Sequence, residues 1–192
     1  MAEQYTIRRK VFKIFGAAFH IYGENGEEIG YCKQKAFKLK EDLRIYTSPQ
    51  CEKELLVIKA RNIIDWRATY DITMPDGTVL GSVRRKGLSS SFVRDHWLVF
   101  DTGDHEIGSV TEDSAGLGLA RRMLPLVSLL SPQLFHLHRN NDSEMIATYR
   151  SHANIFIRRL GISIQKDDSQ INKFFILAIG CLLTAMESRT KS

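Results

Sequence analysis

Phe174-Phe-Ile-Leu-Ala-Ile-Gly-Cys-Leu-Leu-Thr-Ala-Met186 carries no charge from end to end. As a helix it is apolar on every side, and such a helix is stable only when protein or lipid surrounds it completely. Length decides between the two. A helix over that span rises about 20 Å against roughly 30 Å of bilayer hydrocarbon, so a stable transmembrane span is not expected. Asp167, Asp168 and Ser169 ahead of it offer an N-cap and a favourable charge for the helix dipole, and Arg189 and Lys191 follow its other end. The rest of the chain must therefore build an enclosure.

That enclosure is written upstream as one repeated hairpin. An aromatic residue opens a short alternating strand, and a small residue follows an isoleucine or leucine on the return: Phe19 to Ile29-Gly30, Tyr70 to Leu80-Gly81, Trp97 to Ile107-Gly108, and Phe135 to Ile146-Ala147. Asn25-Gly26, Asp76-Gly77, Gly103-Asp104 and Asn141-Asp142 lie between the halves and tolerate the positive φ of tight turns. Alternation places further strands near 5–12, 28–38, 43–47, 54–60, 79–86, 91–100 with a break around Asp95, 105–111, 144–150 and 154–160. About twelve strands result, and a ring of eleven or twelve leaves room for a central helix where about eight would enclose only side chains. The expected fold is mainly β, in the α+β sense: a barrel around the C-terminal helix, preferred over a sandwich with that helix laid across it. One further helix is expected near 116–130, with Ala120, Met123, Leu124, Val127 and Leu130 on one face and Pro125 as a kink. Arg121 and Arg122 beside the leucines would suit an anionic interface; a plug for one end of the barrel is the preferred reading.

At 192 residues, 43% hydrophobic and 26% charged, the chain suits one soluble domain spanning 1–192. Its opening, Met-Ala-Glu-Gln-Tyr, resembles neither a secretory signal nor a transit peptide, so the expected location is the cytoplasm, including the periphery of its membranes. Cys32, Cys51 and Cys181 are scattered and odd in number, unlike a disulfide framework or a zinc site. The formal charge of +5 leans mildly toward anionic partners.

Chemistry-bearing residues are sparse. Lys59 and Arg61, Arg84 and Lys86, and Arg8 and Lys10 are i, i+2 pairs, each on one face of a strand. Two cations about 7 Å apart on a rigid strand can hold a multiply charged headgroup, although outward Lys and Arg also serve solubility and blunt strand edges. His136 and His138 share a strand face, and His20 occupies the equivalent place in the first repeat, which reads as structure rather than a metal site. Ser89-Ser90-Ser91 lacks the glycines of a nucleophile elbow, Asp101, Asp104 and Asp113 are turn acids, and Gly116-Leu-Gly118 falls short of a dinucleotide fingerprint. Neither catalysis nor a cofactor is expected.

Together, the hairpin order, the opening Tyr5-Thr-Ile-Arg-Arg-Lys-Val-Phe12, Gly81-Ser-Val-Arg-Arg-Lys86 and Ala178-Ile-Gly-Cys-Leu-Leu-Thr-Ala-Met-Glu187 resemble the LURP-one-related and phospholipid scramblase families of the tubby C-terminal-like superfamily. The resemblance covers nearly the whole chain. It implies a twelve-stranded barrel wrapped around a hydrophobic C-terminal helix, and tubby-like domains are similar in using strand-borne Lys/Arg pairs for phosphoinositides. Thr184 stands where the scramblase pattern has aspartate, which argues against calcium-triggered lipid movement. The leading expectation is a non-catalytic barrel that binds anionic phospholipid headgroups, as a peripheral membrane or regulatory module. A lipid-independent structural or protein-interaction domain is the alternative and scramblase-like lipid transfer a lesser one; nucleic acid ranks lower, because the aromatics sit where a core expects them.

Overall fold

The computed structural model describes residues 2–10, 17–34, 42–61, 68–86, 96–113, 133–140, 144–153 and 157–187. Twelve strands run in chain order: β1 Tyr5–Lys10, β2 Ala17–Tyr22, β3 Glu28–Gln34, β4 Leu43–Tyr46, β5 Glu54–Ala60, β6 Thr69–Thr73, β7 Val79–Arg85, β8 His96–Phe100, β9 Glu106–Asp113, β10 Leu134–Arg139, β11 Met145–Ala153 and β12 Ile157–Ile164. Each pairs antiparallel with its neighbours in sequence, and β1 pairs with β12 to close the ring. The C-terminal helix, α1, spans Lys173–Glu187.

Period-two alternation sorts the side chains between the two surfaces. Ile7, Phe19, Ile21, Ile45, Ile58, Ile72, Val99, Leu137 and Ile162 point inward and are buried, as is α1 from Phe175 to Ala185. The enclosure predicted from the charge-free stretch is thus the observed core. Gly180 faces the β12, β1 and β11 wall: a Cβ there would lie 2.7 Å from Ile162, 3.2 Å from Ile7 and 3.5 Å from Tyr149. Buried Tyr149 donates its hydroxyl to the Ile176 carbonyl at 3.1 Å. Thr184, a polar residue in this apolar run, donates to the Gly180 carbonyl at 2.8 Å and is satisfied within the helix.

The repeated small residue also has a physical reason. Gly30, Gly81, Gly108 and Ala147 stand opposite Ile21, Ile72, Val99 and Leu137, and in every case the register shifts immediately afterwards. These are bulges, which bend a strand and re-aim the turn beyond it. At Gly81, φ is +142° and a Cβ would collide with the Phe100 carbonyl and lie 2.9 Å from the Phe175 ring. Three of the expected turns contain positive φ, at Gly26, Gly77 and Asp104; Asn141-Asp142 lies outside the described residues.

Several boundaries differ from the sequence reading, β9 running on to Asp113 and β11 to Ala153. Asn172 caps α1, its Oδ1 accepting from the backbone N–H groups of Phe174 at 3.1 Å and Phe175 at 3.0 Å, whereas Asp168 caps the preceding turn through Gln170 and Ile171. β12 extends to Ile164, past the expected end at 160, because its inward residues Leu160 and Ile162 must face Ile7 and Tyr5 of β1; residues 154–156 lie outside the described residues. The helix expected near 116–130 lies outside the described residues. Among those residues no helix is long and apolar enough to cross a membrane.

Candidate functional site

Because the strands run up and down, their connections alternate between two rims. The tight hairpins share one rim with the entry to α1, and it is acidic. Glu24, Glu27 and Glu28 belong to β2–β3, Glu52 and Glu54 to β4–β5, Asp76 to β6–β7, Asp101, Asp104 and Glu106 to β8–β9, and Glu144 to β10–β11. Asp167 and Asp168 lie on the approach to α1, and Lys53, Arg139, Lys166 and Lys173 are the bases among them. Two of these bases are consumed locally: Arg139 holds Asp168 at 3.0 Å and Lys166 holds Glu144 at 2.7 Å.

At the opposite rim the described strand ends are basic. Among the described residues, strand ends place Lys59, Arg61, Arg84 and Lys86 on its outside and Arg9, Arg85 and Arg158 on the inward face, against Asp42, Glu112 and Asp113, with Arg8 and Arg159 on the adjoining outer wall. Trp97 carries the Arg85 guanidinium 5.7 Å above its ring. Burial lowers the His96 pKa at this rim, and the neighbouring Lys86 charge lowers it further.

The candidate pairs are not equivalent. Arg8 is exposed and stacks on Tyr22 at 4.6 Å; Lys10 ends β1, and its side chain lies outside the described residues. Lys59 is exposed but stands opposite Asp71. Arg61 is already used: it donates to Asp71 at 2.7 Å and to Asp104 at 2.9 Å, so the β8–β9 turn must bend over the wall to reach it. Arg84 stacks on Phe100 at 4.5 Å and donates to Thr69 Oγ1 at 3.1 Å, which fixes its direction, and Lys86 is exposed. β1 and β7 lie on opposite walls of the ring. Arg8 therefore does not converge with Arg84, the barrel being roughly 20–25 Å across.

Arg8 meets instead a group that sequence reasoning missed. It stands opposite Arg159, and Arg159 opposite His152; one row along, Thr6, Gly161 and Arg150 are neighbours. Arg9 pairs with Arg158 on the inward face. The signal was present as an Arg-Arg dipeptide in three strands, Arg8-Arg9, Arg84-Arg85 and Arg158-Arg159. Antiparallel closure of β1 on β12 sets two of these dipeptides side by side, a pairing invisible until the ring is known to close.

Other titratable groups are occupied structurally. Asp101 accepts from the backbone of Gly103 at 2.8 Å and of His105 at 2.9 Å, and these bonds lower its pKa, the His105 bond most. Asp76 is lowered in the same way by the Thr78 backbone. His136 and His138 have ring centres 5.9 Å apart, and Asp113 is 3.6 Å from His136. Among the described residues no group of three His, Cys, Asp or Glu side chains is placed to hold a metal. Burial pushes the Cys32 thiol up to about 12 and raises Cys181 and Tyr149 well above their ordinary values.

Comparison with curated proteins gives no match. Among solved structures, a porin-like protein from Bacteroides uniformis aligns with 85% of this chain and 96% of its own at 8% identity and a TM-score of 0.25, a similarity too low to carry an argument. The central part of the barrel is what can be placed: residues 29–123, from β3 to beyond β9, match the family model described as LURP-one-related.

Proposed function

We propose that the chain is a non-catalytic barrel that docks on anionic phospholipid headgroups through its basic rim, as a peripheral module of cytoplasmic membranes. The observation that carries this reading is the segregation of charge among the described residues: acids crowd the hairpin rim and arginines the strand ends at the other, although the net charge is only +5. A surface of one sign attracts an opposite surface at distances up to about a Debye length of 8–10 Å. Polybasic surfaces gain about 1 kcal/mol per Lys or Arg against anionic leaflets. Arg84 and Arg85 stack on Phe100 and Trp97, which restricts their side chains at this rim. The reading extends the LURP-one-related match to the tubby C-terminal-like superfamily, within which headgroup binding by strand-borne bases is the expected activity.

Co-sedimentation with vesicles tests it. Phosphatidylcholine vesicles containing phosphatidylserine should retain the protein at low salt and release it as salt rises, while phosphatidylcholine alone should not bind. Arg84→Glu with Lys86→Glu should abolish retention. Equal binding to both vesicle types, or none to either, would leave a lipid-independent protein-interaction barrel as the better reading.

A further inference from the structure

Residues Ala2 to Gln4 lie against the outer face of β12, held by a Ser163 hydroxyl that donates to the Ala2 carbonyl at 3.1 Å and by Gln4, whose N–H donates to Ile162 at 2.9 Å. This placement lays the Glu3 carboxylate between the His152 imidazole and the Arg159 guanidinium, with Oε1 2.8 Å from Nε2 of His152 and Oε2 3.1 Å from Nη2 of Arg159. The floor beneath it is Gly161, where any Cβ would collide with the carboxylate. Arg8 flanks Arg159 on β1, and Arg150 flanks Gly161 on β11. Neither Arg8 nor Arg150 makes an ion pair among the described residues. On the β1 side, Glu28 is taken by His20 at 2.9 Å.

We propose that these residues form an anion seat for a phosphate monoester, occupied in the free protein by the chain's own Glu3. Cross-strand neighbours are about 5 Å apart and successive outward rows about 7 Å, so Arg8, Arg150, His152 and Arg159 surround one point within a Debye length. A carboxylate brings two oxygens and one negative charge to this ring of donors. A phosphate monoester brings three oxygens and close to two charges, and so satisfies donors that Glu3 leaves over. Glu3 then acts as a tethered competitor, and the missing side chain at residue 161 is the space that both anions use. The seat lies on the wall beside the basic rim and does not depend on membrane docking: a soluble phosphate and a lipid headgroup present the same group.

Calorimetric titration of the full chain with pyrophosphate separates seat from rim. Glu3→Gln removes the competing charge and should tighten pyrophosphate binding about fivefold. Arg159→Gln and Gly161→Ala, one removing a donor and the other filling the floor, should weaken it by at least as much, and thermal unfolding of each variant confirms a folded barrel. A parallel vesicle arm compares phosphatidylcholine carrying phosphatidic acid, a monoester, with phosphatidylglycerol, a diester. A gain for Glu3→Gln on phosphatidic acid as well as pyrophosphate assigns the seat to a headgroup, and a gain on pyrophosphate alone assigns it to a soluble phosphate. Binding unchanged or weakened in Glu3→Gln in both arms would show Glu3 to be an ordinary ion-pair partner and overturn the seat. Arg84→Glu with Lys86→Glu should spare pyrophosphate binding, so failure of the rim and failure of the seat are read separately.

Discussion

His96 is the side chain best placed to report on the basic rim. Burial disfavours its charged form and the Lys86 ammonium disfavours it further, so its folded pKa lies below the ordinary 6.5. The unfolded chain then takes up the proton first. Stability from this group is complete above the unfolded pKa and is lost as pH falls through that value toward the folded one. Lys86→Gln should move the His96 titration upward in a proton NMR series, and an anion bound at the rim should do the same without mutation. A ring titrating at or above 6.5 in the unmodified chain would mean that neither burial nor Lys86 acts on it. The Lys/Arg pairs could be read as outward strand positions because alternation alone decides that. Their neutralisation could not, since the partner of Arg61 includes Asp104, brought over by a hairpin remote in sequence.

Among the elements, α1 was the most legible, because a stretch without charge admits only complete enclosure. Its first turn was not, since Asp168 and Asn172 are both good capping residues and only the path of the chain decides which meets the free N–H groups of the helix. Asn172→Ala removes the acceptor for Phe174 and Phe175 and should cost about 1 kcal/mol, read by urea denaturation. Asp168→Ala acts on the turn and on the Arg139 ion pair instead. An unchanged midpoint for Asn172→Ala, with loss for Asp168→Ala alone, would restore the cap to the place the sequence suggested. The strands were found by alternation, and the hairpin copies were recognisable because each needs a small residue opposite an inward aliphatic one, just before a bulge. Closure was legible only indirectly, through the helix that requires it.

Across the whole molecule, closure removes the free strand edges by which sheets associate, leaving the two rims and the outer wall as the surfaces a partner can meet. The antiparallel order sends tight, acid-bearing turns to one rim and the Arg-Arg strand ends to the other. Such a polarity has a direction. On an anionic surface the acidic rim is repelled while the basic rim is drawn in, so docking should be end-on, with the Met186 end of α1, where its sulfur meets the Tyr70 hydroxyl at 3.7 Å, toward the lipid. The seat around Glu3 lies on the wall, and docking through it alone would lay the barrel on its side. A fluorophore distinguishes the two poses when attached at Lys86→Cys on one rim or at Asp76→Cys on the other, with Cys51 replaced by Ser. On vesicles containing phosphatidylserine and a headgroup quencher, end-on docking quenches the label at 86 and spares the label at 76. Equal quenching at both positions would place the barrel on its side, and the wall, rather than the charged rim, would then be the surface that meets the membrane.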